Sequence, residues 1–600
     1  MGSRGTPRTH PDRGEKDEPT VAQSTGAEPQ ENTDWVSRFA DDVIAESERR
    51  APGKPVVVAS GLSPSGPIHL GNLREVMTPH LVADEIRRRG HEVRHVLSWD
   101  DYDRYRKVPA GVAGVDESWA EHIGKPLTSV PAPAGSAHPN WAEHFKAAMA
   151  EALDQLGVEY DGISQTEQYT SGVYRDQVLF AMRHRGDIDA VLAQYRTKPK
   201  AVKKSQKPLD EAELEAAEGS GAAAEDDGSG SGAEYFPYKP YCGTCEKDLT
   251  TVISYDDDTT KLSYVCQCGH TETVRLSEYD RGKLVWKVDW PMRWAYEGVI
   301  FEPSGVDHSS PGSSFQVGGQ IVGIFGGKQP IGPMYAFVGI SGMAKMSSSK
   351  GGVPTPADAL QIMEPQLLRW LYARRKPNQS FKIAFDQEIQ RLYDEWDKLE
   401  AKVGDSTVLP ADQSAWSRAV RTAGRELPRT PRPLPYRTLA SVADITAGHE
   451  DQALRILSDL DPANPLASLD EARPRLDRAE AWINTQVPAD QRTVVRDEPD
   501  TGLLGSLDDQ ARDSLRLLLE GLDEHWSLDG LTHLVYGVPK VQAGFSADAT
   551  PKELPPEIKV AQRTFFALLY QLLVSRDTGP RLPTLLLAVG ADRVRKLLGA

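Results

Sequence analysis

An apolar run, Pro55-Val56-Val57-Val58-Ala59, leads into a turn rich in Gly, Ser and Pro, and the turn leads into a helical stripe. Leu73, Met77 and Leu81 recur at four-residue spacing, and Val82 and Ile86 widen the stripe. A buried strand delivered so directly into a helix is the opening half of a βαβ unit. It commits this part of the chain to a parallel sheet covered by helices. The turn itself is Pro64-Ser65-Gly66-Pro67-Ile68-His69-Leu70-Gly71-Asn72. Small residues at Ser65, Gly66 and Gly71 let a ligand approach the backbone, and the N–H groups and positive dipole end of the following helix favour a phosphate. His69 can donate to a phosphoryl oxygen as charge develops on it. A Gly-rich turn with Asn72 as helix cap is the plain structural alternative.

The pattern continues as a doubly wound α/β fold requires. Strands are expected over 56–60 and 93–99, and helices over 34–50, 72–90, 141–156 and 172–185. Strand signals resume by 284. From about 355 the pattern turns helical, with Ala359–Arg375, Phe385–Lys402, Arg512–Leu522 and Lys559–Val574, broken by Pro- and Arg-rich connectors such as Pro428–Pro435. No internal repeat is present.

Far downstream stands Lys345-Met346-Ser347-Ser348-Ser349-Lys350-Gly351, flanked by Gly339, Gly342 and Gly352. Lys345 and Lys350 could clamp the pyrophosphate end of a nucleotide, with the serines adding hydroxyl donors. The two stretches together, in this order, resemble the ATP-handling signatures of class I aminoacyl-tRNA synthetases. The resemblance implies that Pro64, Ser65, Gly66, His69, Gly71 and Asn72, with Lys345, Met346, Ser347, Ser348 and Ser349, bind ATP. It implies catalytic roles for His69, Asn72, Lys345, Ser347 and Lys350, with Mg²⁺ neutralising the phosphates. The family usually has Lys where this chain has Ser348, which leaves open how Lys345 and Lys350 share the work.

Further segments bring the resemblance closer. Ser60-Gly61-Leu62-Ser63-Pro64-Ser65-Gly66, Trp99-Asp100-Asp101-Tyr102-Asp103-Arg104, Val288-Asp289-Trp290-Pro291-Met292-Arg293-Trp294 and Asp307-His308 are similar to the class I type of lysyl-tRNA synthetase. The likeness runs through roughly 33–400, and Gly579-Pro580-Arg581-Leu582 carries it to the C-terminal end. A lysine substrate needs a carboxylate for its ammonium, an aromatic wall for its stem and polar groups for its α-amino end. By resemblance, Gly61 and Ser63 serve the α-amino end, Glu75 pairs the ammonium, and Trp286, His308 and Tyr335 line the slot. The family commonly has Thr at the position of Ser63.

All four cysteines fall between 242 and 268, as Cys242-x2-Cys245 and Cys266-x-Cys268. Two close pairs suit a tetrahedral, structural Zn²⁺ site of four thiolates. Thr251–Tyr255 and Lys261–Val265 between them read as a hairpin, so the whole is a zinc ribbon, with His270 as a possible substitute ligand. A cysteine-rich hairpin without metal is the alternative.

The net charge of −18 is unexpected for a partner of nucleic acid. Part of it is local: residues 210–234 hold nine acidic side chains and no basic one, and the tail 1–32 holds six acidic and four basic. The remainder is still acidic, so contact with tRNA must use local basic patches. The tail and the insertion read as disordered. No apolar run is long enough to span a membrane and no h-region opens the chain, so the expected location is the cytoplasm.

The expected organisation is a tail over 1–32 and a Rossmann-like catalytic domain over 33–355. That domain carries an acidic insertion at 200–234 and a zinc ribbon at 235–275. A helical connecting region over 356–410 and an α-helical, by resemblance anticodon-binding, domain over 411–600 complete it. The implied partners are tRNA(Lys), L-lysine and ATP; the sequence does not fix the oligomeric state. Two other readings remain open: another class I synthetase or a nucleotidylyltransferase on the same fold, and a non-catalytic tRNA-binding relative.

Overall fold

A computed structural model describes residues 34–196, 234–309, 313–341, 352–446, 448–550 and 553–599. The N-terminal tail, the acidic insertion up to Ala233 and the signature Lys345–Gly351 lie outside the described residues.

Helix α1 (Trp35–Arg50) is capped by Asp34, whose carboxylate accepts the N–H groups of Val36 and Ser37. The apolar run then forms β1 (Val56–Leu62), followed by α2 (Leu70–Arg88) and β2 (Val93–Trp99). After α3 (Trp141–Gln155) comes β3 (Asp161–Ser164). The three strands pair in parallel in the order β1-β2-β3, with Val56 opposite Val93 and Val96 opposite Asp161. On the far side of β1 the sheet is extended by backbone bridges from Val58 to Phe301 and from Phe301 to Ile331, both parallel. The carboxyl ends of the strands, at Leu62, Trp99 and Ser164, therefore share one edge, where doubly wound folds place their ligands.

The helix expected over 172–185 is α5 (Arg175–Arg183), preceded by α4 (Gln165–Thr170) and followed by α6 (Arg185–Arg196). Beyond the insertion, β4 (Tyr238–Pro240) pairs antiparallel with β8 (Gly282–Leu284), and between them β5 (Thr250–Tyr255), β6 (Lys261–Cys266) and β7 (Thr271–Arg275) form a three-stranded antiparallel sheet. A helix over Trp286–Glu297 follows. Short parallel pairs come next: β9 (Ser304–Gly305) with β10 (Met334–Tyr335), and β11 (Val338–Ile340) with β12 (Phe381–Ile383). The helix expected over Ala359–Arg375 is two helices, Pro356–Ile362 and Pro365–Ala373, because Pro365 cannot supply an interior N–H and instead takes the first turn of the second.

One apolar core joins the sheet and α2 to the helices that follow. Val58, Leu62, Leu73 and Met77 belong to the same cluster as Leu367, Tyr393, Tyr436 and Ile483. Buried polar contacts fix the same seam: Arg369 donates to the carbonyls of Leu156 (2.6 Å) and Arg418 (2.8 Å), and Arg418 reaches Glu85 at 2.6 Å and pairs with Asp34. A second core lies between α4–α6 and the antiparallel sheet, with Tyr169, Met182, Tyr238, Leu262 and Tyr264. A third, Leu515 to Leu598, belongs to the last helices. Among the described residues no helix is long and apolar enough to cross a membrane.

Candidate active site and metal centre

The turn after β1 delivers His69 as the N-cap of α2. Its Nδ1 accepts the Gly71 N–H at 3.0 Å. Asn72, the cap of the plain structural alternative, sits in the first helical turn instead, its N–H bonded to the His69 carbonyl at 2.9 Å. An imidazole that accepts through Nδ1 is neutral with its proton on Nε2, so Nε2–H is a donor for an anion at the helix start. Desolvation reinforces this by bringing the His69 pKa down to about 4. The helix start is also held to the chain beyond the second signature, since Leu70 N donates to the Pro354 carbonyl at 3.1 Å.

One turn into the same helix, Glu75 Oε2 accepts the Tyr335 hydroxyl at 3.0 Å. Its Oε1 lies 3.8 Å from the point a Cβ on Gly61 would occupy, and Asp100 Oδ2 lies 4.0 Å from that point. Glycine at 61 thus keeps a space open between two carboxylates at the strand ends. Asp100 directly follows β2. Its Oδ1 accepts from Arg293 Nη1 at 2.8 Å, and Arg293 Nη2 donates to Asp289 at 2.6 Å. Lys283 Nζ in turn donates to Asp103 at 2.6 Å and stands 3.5 Å from Asp289. Even beside Arg293, burial raises the Asp100 pKa to about 6.

Aromatic rings stand over the guanidinium. Arg293 Cζ lies 5.4 Å from the Trp286 ring centre, and Trp286 stacks on Trp290 at 5.1 Å and 17°. His308 lies 6.4 Å from Trp286 and 5.9 Å from Trp290. Its short helix, Val306–Ser309, follows β9, which pairs with the strand carrying Tyr335. Beneath the wall, Glu302 accepts the indole N–H groups of Trp290 (3.0 Å) and Trp294 (2.6 Å). Its complete burial raises the pKa to about 7 against those two donors.

The four cysteine Sγ atoms lie within 4.8 Å of one another. The Cys242–Cys268 and Cys245–Cys266 separations are 3.8 and 3.6 Å. These are close to the edge of a tetrahedron with metal–sulfur arms of about 2.3 Å, roughly 3.8 Å, and far too long for a disulfide. The first knuckle shows an N–H to sulfur contact, Thr244 N to Cys242 Sγ at 3.4 Å. The His270 N–H and neighbouring thiols bring Cys268 down to about 7, while burial pushes Cys266 up to about 12. The donor set fits Zn²⁺. His270, the possible substitute, turns its Nε2 toward Glu272 at 3.5 Å. The cysteine cluster is tied to the site floor, for the Tyr241 hydroxyl donates to the Tyr102 carbonyl at 2.6 Å.

Residues 33–423 match the model of the family described as class I tRNA synthetases (K). A lysine–tRNA ligase of Streptomyces coelicolor is 84% identical over 97% of this chain and 100% of its own length. Lysine–tRNA ligases of Thermococcus kodakarensis and Pyrococcus horikoshii are 32% and 31% identical, each over 94% of this chain and 99% of their own. The chain belongs to the class I (K) tRNA synthetases.

In this synthetase Glu75 and Tyr335 meet directly beside the space over Gly61, and Trp286 and His308 form an adjoining wall. Ser63 is exposed beyond the end of β1. Pro64 and Gly66 are buried and Ser65 exposed in the turn before His69, and Gly71 closes the cap contact. Lys345, Met346, Ser347, Ser348, Ser349 and Lys350 fall outside the described residues. Sequence reasoning gave no role to Asp100, Arg293 or Glu302. Asp100 could have been found from its place just past a parallel strand, where such sheets bind ligands. Arg293 and Glu302 carry no such signal, because helix and loop packing alone bring them to the site.

Proposed function

We propose that this synthetase is a lysine–tRNA ligase. It activates L-lysine with ATP to give lysyl-adenylate and pyrophosphate, then transfers lysine to the 3′ end of tRNA(Lys). The observation that carries the reading is the space over Gly61, bounded by Glu75 and Asp100 and adjoining an aromatic wall, on the helix whose first residue is capped by His69. A cationic amino acid fits two carboxylates; the start of α2 fits the nucleotide phosphates.

In activation the lysine carboxylate attacks the α-phosphorus in line, and pyrophosphate leaves. Positioning and charge stabilisation supply most of the acceleration, since the attacking group needs no base. His69 Nε2–H stabilises charge on the phosphoryl oxygens, Asn72 assists at the same helix start, and Lys345, Ser347 and Lys350 take the pyrophosphate end. Pro64, Ser65, Gly66 and Gly71 let the nucleotide approach, and Met346, Ser348 and Ser349 complete its contacts. Ser63 serves the amino-acid end. Mg²⁺ would accompany the ATP phosphates, and Zn²⁺ on Cys242, Cys245, Cys266 and Cys268 would hold the ribbon together. The helical C-terminal part would read the anticodon, in the cytoplasm where tRNA is charged.

ATP–pyrophosphate exchange with each amino acid in turn tests this reading. Lysine should support exchange well above the others. Exchange with a different amino acid would assign another class I specificity, and none with any would point to a non-catalytic relative.

A further inference from the structure

We infer that Asp100 is a second substrate carboxylate, which pairs the α-ammonium of lysine while Glu75 pairs the side-chain ammonium. The inference rests on the lysine reading above and adds a residue to it. Three observations carry it. First, Asp100 Oδ2 and Glu75 Oε1 face the same point above Gly61, at 4.0 and 3.8 Å from where a Cβ would stand. Gly61 lies in β1 with no unusual backbone angle, so what glycine provides here is the open space. Second, Asp100 is aimed. Its other oxygen is held by Arg293 at 2.8 Å, and Arg293 is itself held by Asp289 and by Ser98 Oγ at 2.7 Å. That leaves Asp100 a fixed direction, the condition for selecting a ligand by position. Third, carboxylates gather at this floor. Asp100 and Asp289 share Arg293, Asp289 and Asp103 share Lys283, and Arg106 also acts on Asp103. Glu75 adds a further carboxylate beside the Tyr335 hydroxyl. Lysine brings two ammonium groups to this acidic floor.

The division of labour also has a chemical reason. An amino acid about to be activated through its carboxylate must be anchored by the α-ammonium beside that carboxylate. A carboxylate at the strand edge can do this without blocking the in-line path. Discrimination of lysine from shorter cations then falls to Glu75 and the aromatic wall.

The experiment compares lysine with 6-aminohexanoate, which keeps the side-chain ammonium and the carboxylate but lacks the α-amino group. Lysine is measured by exchange and by calorimetric binding, and the analogue by competition. Asp100→Asn should weaken lysine by roughly 30-fold or more. It should leave the analogue at its wild-type affinity, because the analogue has no α-ammonium to pair with Asp100. Glu75→Gln should weaken both. Equal weakening of lysine and analogue by Asp100→Asn would mean that Asp100 acts only through the Arg293 frame, and unchanged lysine binding would mean that it touches nothing; either overturns the inference. Should Asp100→Asn fail to fold, Asp100→Glu replaces it, since it keeps a negative charge for Arg293 but moves the carboxylate by one methylene. Asp100→Glu should weaken lysine far more than the analogue, and equal weakening again overturns the assignment. Wild-type protein that shows no exchange with lysine at all would instead sink the lysine reading.

Discussion

His69 Nδ1 and the Gly71 N–H stand 3.0 Å apart, so the residue that caps the helix is also the residue aimed at the nucleotide. The cap fixes the tautomer and leaves Nε2–H as the outward donor. With a pKa near 4, the ring stays neutral across pH 5–8, and exchange should show no step from His69 there. NMR of the ring should report the Nε2–H form. His69→Ala removes one donor to developing charge and should cost about 2.7–4 kcal/mol in the barrier, by analogy with loss of an oxyanion-hole donor. Wild-type turnover by that variant would remove His69 from the mechanism.

Glu75 is held by Tyr335, and the two should act on the amino acid rather than on ATP. Glu75→Gln should raise the KM for lysine by an amount equivalent to about 2–5 kcal/mol, with that for ATP much less affected. Tyr335→Phe removes one hydrogen bond and should cost about 0.5–1.5 kcal/mol in the same direction. Lys345→Ala is the contrast, expected to damage the ATP-dependent step. A Glu75→Gln enzyme with normal lysine binding and poor ATP binding would move Glu75 to the nucleotide site.

Glu302 should titrate near neutrality under two tryptophans. Its folded pKa of about 7 exceeds the ordinary 4.5, so between those values the folded state keeps a proton that the unfolded chain releases. Stability should therefore fall as pH rises from about 4.5 to 7, and flatten above. Tryptophan fluorescence should change over the upper part of that window as the carboxylate ionises against the indoles. Glu302→Gln should abolish both effects; a fluorescence titration that survives it would belong to another group.

Elemental analysis should find one zinc per chain. Chelation should remove it with loss of local structure, and Cys242→Ser and Cys266→Ser should each lower metal content. Because Tyr241 of this region donates to the Tyr102 carbonyl two residues past Asp100, metal loss should also weaken lysine exchange. Four titratable thiols and no metal in purified protein would exclude the zinc reading.

The apolar run and its stripe announced β1 and α2, because a buried strand and an amphipathic helix write their periods into the sequence. The cysteine pairs announced their own cluster for the same local reason. What stayed hidden depends on chain reversal. Asp289, four residues before Arg293 on one helix, is a pair that spacing announces, but nothing near Arg293 says that it will also hold Asp100, 193 residues away. Nothing near Glu302 says that two indoles will donate to it. The cap also departs from its signal: Asn is the commoner capping residue, whereas here the histidine ring reaches back to the helix N–H and displaces it.

The apolar core that begins at Trp35 does not finish until Ile483, and a separate one opens at Leu515. Anyone dissecting this enzyme by expression of pieces should be guided by that. A fragment ending near 410 would strip Tyr436, Leu439 and Trp482 from the side of Tyr393 and leave an oily wound. One ending in the stretch between Gln486 and Asp508 would keep that core whole, but would bare the side of helix Tyr436–Thr446 on which helix Leu582–Val589 packs. The smallest soluble piece to retain the amino-acid pocket is therefore far longer than the α/β fold itself.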